Sequence, residues 1–150
     1  MLHPQTTINC NGRLLSFDEP KIMGVLNVTK DSFFDGGRYN GLDAALIQAE
    51  HMLSEGADII DIGGMSSRPG AELISPKEEQ ARILPIIKEL NKRFPEAFIS
   101  VDTVYSSTVE RVAEEGADMI NDISAGAFDD KMYETVANLD IPYILMHMQG

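Results

Sequence analysis

Cysteine is nearly absent. A single Cys10 in 150 residues allows neither an intramolecular disulfide nor a cysteine zinc site, so an inert thiol in a reducing, cytoplasmic compartment is expected. No run of about 18 apolar residues occurs, and the opening MLHPQTTINC has neither a basic nor an apolar stretch, so no membrane span and no signal peptide are expected. Positive charge is scarce. Twelve Lys plus Arg against twenty-four Asp plus Glu give a net charge of −12, which repels polyphosphate backbones and argues against nucleic acid as a partner. A small anionic substrate would need local positive charge, a metal ion or backbone N–H groups to hold it. The glycine fingerprint GxGxxG is missing after the first apolar run, which counts against a dinucleotide-binding sheet.

The length, with 43% apolar residues, suits one domain burying roughly 68 to 70% of the surface of its unfolded chain. Within it lies an internal echo. Glu55 to Gly63 reads EGADIIDIG and Glu115 to Ile123 reads EGADMINDI, each closing a helical pattern at a glycine, Gly56 or Gly116, and passing at once into an apolar strand. Three further runs, Ile22 to Leu26, Ala97 to Val101 and Pro142 to Met146, are near-continuously apolar, as in parallel strands buried on both faces. Helical patterns separate them: Leu42 to Ser54, Pro76 to Arg93, Ser106 to Glu114 and about Lys131 to Ala137. Ser75, Pro76 and Glu78 supply a cap, a first-turn proline and an early acid. Before all of these, TTINCNG followed by RLLSF predicts a hairpin turning at Asn11 and Gly12 and plugging one end of what the strands build. No linker interrupts the order, so residues 1–150 are expected to form a single domain. The βα alternation fits either an open doubly wound sheet or a closed eight-stranded barrel, although a barrel takes about 250 residues and only five strands are in view.

In both architectures chemistry collects beyond the carboxyl ends of the strands. Those positions hold Asn27, then Asp61 with Gly63 and Gly64, Asp102, Asn121 with Asp122, and His147. Each alone would be an ordinary polar turn; five at one end point to a site. Two loops stand out. NVTKDSFFDGG, from Asn27 to Gly37, sets Asp31 and Asp35 beside Phe33 and Phe34, which suits a lid that excludes water, or a loop packed down by its aromatics. GGMSSRPG, from Gly63 to Gly70, offers hydroxyls and Arg68, a combination suited to phosphate.

MGVLNVTKDSFFDGG, IIDIGGMSSRPGAE, ISVDT, GADMINDI and YILMHMQG, in this order and spacing, resemble the N-terminal half of dihydropteroate synthase from about Met23 to Gly150. The resemblance implies an α/β fold of the (β/α)8 TIM-barrel family, represented by its first five strands and about four helices. It implies a transferase of folate biosynthesis that joins 6-hydroxymethyl-7,8-dihydropterin pyrophosphate to p-aminobenzoate, with Mg2+ assisting. Residue by residue, Asn27 matches a metal-contacting position, and Arg68 with Ser67 the pyrophosphate and aminobenzoate loop. Asp102 and Asn121 match pterin-holding positions. Met146 would supply an apolar floor. Asp31, Phe33 and Asp35 would close over a pterin methyl cation formed as pyrophosphate leaves. A pterin edge carries paired N–H donors and acceptors, which a carboxylate and an amide at strand ends can read.

Lys30 stands where the family commonly has proline, Met65 where glutamate is common and Ser67 where threonine is common. The family's later Asp loop, Ser-Arg-Lys and Arg-x-His segments find no match. The intact enzyme is therefore expected to be longer and a homodimer, and residues 1–150 alone to be inactive, since a half-barrel would leave open strand edges. Two other readings stay open, a non-catalytic half-barrel that binds a partner and a pterin-dependent corrinoid methyltransferase, against which the lid sequence argues. His147 fits a structural role as well as a catalytic one. The pterin reading requires Asn27, Arg68, Asp102 and Asn121 to surround one hollow.

Overall fold

The computed structural model describes residues 6–28, 38–65 and 73–146. The chain opens with an antiparallel hairpin, β1 (Thr7–Cys10) and β2 (Arg13–Ser16). Its turn residues Asn11 and Gly12 have φ of 52° and 84°, the doubly positive geometry whose twist matches the strands it joins. There follow β3 (Met23–Asn27), α1 (Arg38–Ser54), β4 (Ile59–Gly63), α2 (Pro76–Arg93), β5 (Phe98–Asp102), α3 (Ser106–Glu114), β6 (Met119–Asp122), α4 (Met132–Asn138) and β7 (Tyr143–Leu145).

The elements are those expected, and two helices match to the residue. Some boundaries move. The first and third parallel strands each run one residue beyond the expected end, to Asn27 and Asp102, because backbone pairing continues after the apolar run stops. The last strand is shorter than Pro142 to Met146, and the first helix starts at Arg38 rather than Leu42.

The five parallel strands lie in the order β3-β4-β5-β6-β7. That order decides between the two architectures. A doubly wound sheet reverses direction at a switch point; here right-handed crossovers always advance one way and lay every helix on one face, as in a (β/α)8 barrel. Ile60, Ile62, Ile99, Val101 and Ile120 pack outward against Leu46, Ile83, Ile86, Ile87 and Val109 in one core. Within the sheet β3 and β7 each pair on one side only, and Val25 and Leu145 are 53% and 60% exposed.

The echo is one construction used twice. After α1, Gly56 N–H donates to Leu53 O and Ala57 N–H to Met52 O; after α3, Gly116 N–H donates to Ala113 O and Ala117 N–H to Val112 O. These are the paired bonds of a Schellman ending, made at left-handed glycines with φ of 104° and 90°. Equivalent aspartates then brace the preceding strand-entry segment: Asp58 accepts from Ile22 N–H at 2.9 Å and Asp118 from Ile99 N–H at 2.8 Å.

The hairpin does cover one end. Cys10 and Leu15 cluster with Ile59 and Met119 on the inward side of the sheet, joined by Ile8, Met23, Phe98 and Ile144. Arg13 fastens it from above: its guanidinium donates to Pro95 O, Ala97 O and the Asp118 carboxylate at 2.8–2.9 Å and lies 4.3 Å over the Phe98 ring. Burial, with Asp118 adding to it, pushes the Cys10 thiol up to about 11, so it stays protonated and unreactive. No helix among the described residues is long and apolar enough to cross a membrane.

Candidate active site

Strand register assembles the site. Asn27, Gly63, Asp102, Asn121 and Ile144 are successive cross-strand partners, a single row at the carboxyl ends of five strands. The row below is Val25, Asp61, Ser100 and Met119. Because side chains alternate along a strand, both rows face away from the helices and into the concave interior. Gly63 leaves a slot in the upper row. A Cβ placed there would meet Asn27 Oδ1 at 3.4 Å and Asp102 Oδ2 at 3.7 Å, so the missing side chain lets groups from β3 and β5 face one another across β4.

Three of the four residues required around one hollow are thus brought together: Asn27, Asp102 and Asn121. Arg68 and Ser67 lie outside the described residues, as do Asp31, Phe33 and Asp35 of the expected lid, Lys30 and His147. Met146 lies one residue past β7 and two on from Ile144 of the inward row, and it is 39% exposed beside a strand that pairs on one side only among the described residues. Lower in the interior, Ile59 and Met119 supply an apolar layer sealed by the hairpin.

The interior is rich in acceptors. Asp61, 3% exposed, accepts from Asn121 Nδ2 at 3.0 Å through Oδ2. Asp61 Oδ1, Asn121 Oδ1 and Ser100 Oγ are buried with no partner among the described residues. Burial, then the charges of Asp61 and Asp122, push the Asp102 carboxyl up to about 6. Such a wall, with no cationic side chain bonded to it among the described residues, favours a ligand bearing N–H groups.

Behind it, α2 packs against Gly64, the first residue after β4. Ser75 caps the helix by accepting from Glu78 N–H at 3.2 Å. One turn on, Glu79 is fully buried; its Oε2 accepts from Thr103 Oγ at 2.7 Å, while Oε1 has no partner among the described residues. Burial chiefly, and Asp102 secondarily, lift this carboxyl to about 7 against hydrogen bonds from Thr108 and Thr103. A Cβ on Gly64 would approach Glu79 Cγ to 2.9 Å, and Arg82 donates to Gly64 O at 2.8 Å. Glycine at 64 thus lets the chain just past β4 lie directly against the helix. Asp61 was read only as a strand-end polar residue, and Glu79 only within the amphipathic pattern of its helix. The available signals were an acid inside the apolar run IIDIG and an acid on the same helical face as Ile83, Ile86 and Leu90.

For metal, no group of three or more His, Cys, Asp or Glu is gathered among the described residues. Asn27 instead offers one neutral, hard oxygen at an exposed strand end.

Residues 23–150 match the family described as pterin binding enzyme. The dihydropteroate synthase of Bacillus subtilis is 47% identical over 134 residues, covering 89% of this chain and 47% of its own length. The structure of Xanthomonas albilineans dihydropteroate synthase with 4-aminobenzoic acid superposes with a TM-score of 0.88 at 39% identity, over 97% of this chain and 53% of that one. Burkholderia cenocepacia dihydropteroate synthase complexed with 7,8-dihydropteroate gives 0.81 at 34% identity, over 97% and 47%. The chain therefore spans about half the length of these relatives. A row of acceptors at the carboxyl ends of five barrel-type strands, and a family match through every one of those strands, place this chain in the pterin binding enzyme family.

Proposed function

We propose that the protein carries the pterin-holding half of a dihydropteroate synthase, a folate-pathway transferase that joins 6-hydroxymethyl-7,8-dihydropterin pyrophosphate to p-aminobenzoate. The carrying observation is the inward wall: the buried carboxylate of Asp61 and the half-buried one of Asp102, with the amide oxygens of Asn27 and Asn121, in adjacent rows around Gly63. Alone it is under-satisfied. A flat heterocycle with amino and ring N–H groups would supply the missing donors, and the loss of bulk water would strengthen each bond. The ligands named for the Xanthomonas and Burkholderia structures, 4-aminobenzoic acid and 7,8-dihydropteroate, support the same pair of substrates.

In this reading Asp102 and Asn121 hold the pterin edge. The bond from the pterin methylene carbon to the pyrophosphate oxygen breaks, a C–N bond forms to the arylamine, and the amine proton is lost. The protein's task is to orient the pterin, stabilise the leaving group and exclude water. Ser67 and Arg68 meet the pyrophosphate, and Asp31, Phe33 and Asp35 close over the reacting carbon. Asn27 fits Mg2+, because that ion keeps most of its waters and takes only one or two protein oxygens beside phosphate oxygens. When bound it would neutralise charge on the departing pyrophosphate.

The test is made on the full-length protein. Pyrophosphate release should require both substrates, and Asp102→Asn should weaken pterin binding roughly 10- to 100-fold, the worth of a charge-assisted hydrogen bond. Full pterin affinity in that variant would overturn the reading. Met1–Gly150 alone is expected to be inactive, and turnover comparable with the full-length enzyme would defeat that part. A homodimer and a cytoplasmic location complete the proposal; sedimentation and cell fractionation check them.

A further inference from the structure

Asp61 lies in the middle of β4, one row beneath Asp102 and Asn121, the two residues that hold the pterin edge in the proposed function. Its Oδ2 is 3.0 Å from the Asn121 side chain, and a carboxylate can only accept in such a bond. The Asn121 atom turned towards it must therefore be the nitrogen. The orientation of an asparagine amide is otherwise nearly degenerate, since its oxygen and nitrogen have almost the same shape. Here one neighbour breaks the degeneracy and leaves Asn121 Oδ1 buried, unpartnered among the described residues, and available as an acceptor. Across the strand pair, Ser100 Oγ is likewise unpartnered, so no described side chain competes for that oxygen.

We propose that Asp61 is a specificity-determining positioning residue: by holding the Asn121 amide nitrogen it fixes Asn121 Oδ1 as an acceptor, so the pocket selects heterocycles with an exocyclic amine at that edge. An oxo group there would face Oδ1, acceptor against acceptor, and neither partner could be satisfied. This rests on the proposed function, in which Asn121 reads the pterin edge. Asp61 itself touches no reacting atom. It acts through Asn121.

The experiment compares two probes, 6-hydroxymethylpterin, with a 2-amino group, and 6-hydroxymethyllumazine, with a 2-oxo group, by titration calorimetry on the full-length protein. The native protein should favour the amine. Asp61→Asn frees the Asn121 amide to rotate and should narrow the preference about tenfold or more, chiefly by improving lumazine binding. The reciprocal double variant, Asp61→Asn with Asn121→Asp, keeps a donor–acceptor pair between the two positions while leaving only acceptors on residue 121. It should restore the preference for the amine. An unchanged preference in folded Asp61→Asn overturns the inference. Should that single variant fail to fold by circular dichroism, Asp61→Ser takes its place: with no carboxylate to hold the Asn121 nitrogen, a narrowed preference supports the inference and an unchanged one overturns it. Failure of the native protein to bind either probe would instead sink the proposed function.

Discussion

The two faces of the five-stranded sheet are built from alternate residues of the same strands and obey opposite rules. On the helix side, Ile60, Ile62, Ile99, Val101 and Ile120 are at most 1% exposed and belong to one apolar cluster. On the inward side, Asp61, Ser100, Asp102 and Asn121 are polar, and three of them hold buried atoms without partners among the described residues. Burying a polar group unpaired costs about 1–3 kcal/mol, so the inward face is maintained at the expense of stability that the outward face supplies. The fold is held from one side and the chemistry is laid out on the other, an arrangement in which substitutions divide cleanly by the parity of their position.

That division is open to direct attack. The largest effect should come from the outward core: Ile86→Ala should cost about 2–5 kcal/mol in chemical denaturation, and a loss below about 1 kcal/mol would break the comparison. Arg13→Ala should follow at about 3 kcal/mol, because it takes the guanidinium from the buried Asp118 carboxylate and leaves it the Ile99 N–H; faster hydrogen exchange at the amino ends of the strands would mark where the hairpin has come loose. Next is a pH effect. Glu79 rises from 4.5 to about 7 on folding, so the folded state binds more protons and stability falls as pH climbs through that interval. Glu79→Gln should flatten this dependence by about 3 kcal/mol, and Asp102, raised in the same direction, should add to the native slope. A native protein that instead gains more stability than Glu79→Gln over that interval would contradict the sign. Asp102→Asn should change stability by about 1 kcal/mol or less, since it removes a desolvated charge, and yet impair the proposed pterin binding. The smallest effect is at Cys10, where thiol reagents should react only after unfolding.

The outward half of this scheme was legible in the sequence because its signals are local and redundant. EGAD ends a helix twice, Ser75-Pro76 begins one, and short near-continuous apolar runs bounded by turn signals read as buried strands. The row of strand-end residues was legible too, since Asn27, Asp102 and Asn121 each close an apolar run. What stayed hidden depends on parity and on partners distant in sequence. Nothing local in IIDIG says that Asp61 faces inward to meet Asn121, whose strand lies two places away in the sheet. Glu79 occupies a core position on α2, but its burial follows from Gly64 admitting it and Thr103 bonding it, two contacts supplied by other elements.

The duplicated turn has one more outcome. Aligning EGADIIDIG with EGADMINDI places Asp61 opposite Asn121, so the two side chains that bond across the interior are the same site in two copies of one unit. They differ by a single heavy-atom exchange, oxygen for nitrogen. Two aspartates there would repel, whereas this pair locks. A repeated piece of architecture has become a polar couple through the smallest chemical asymmetry available between its halves.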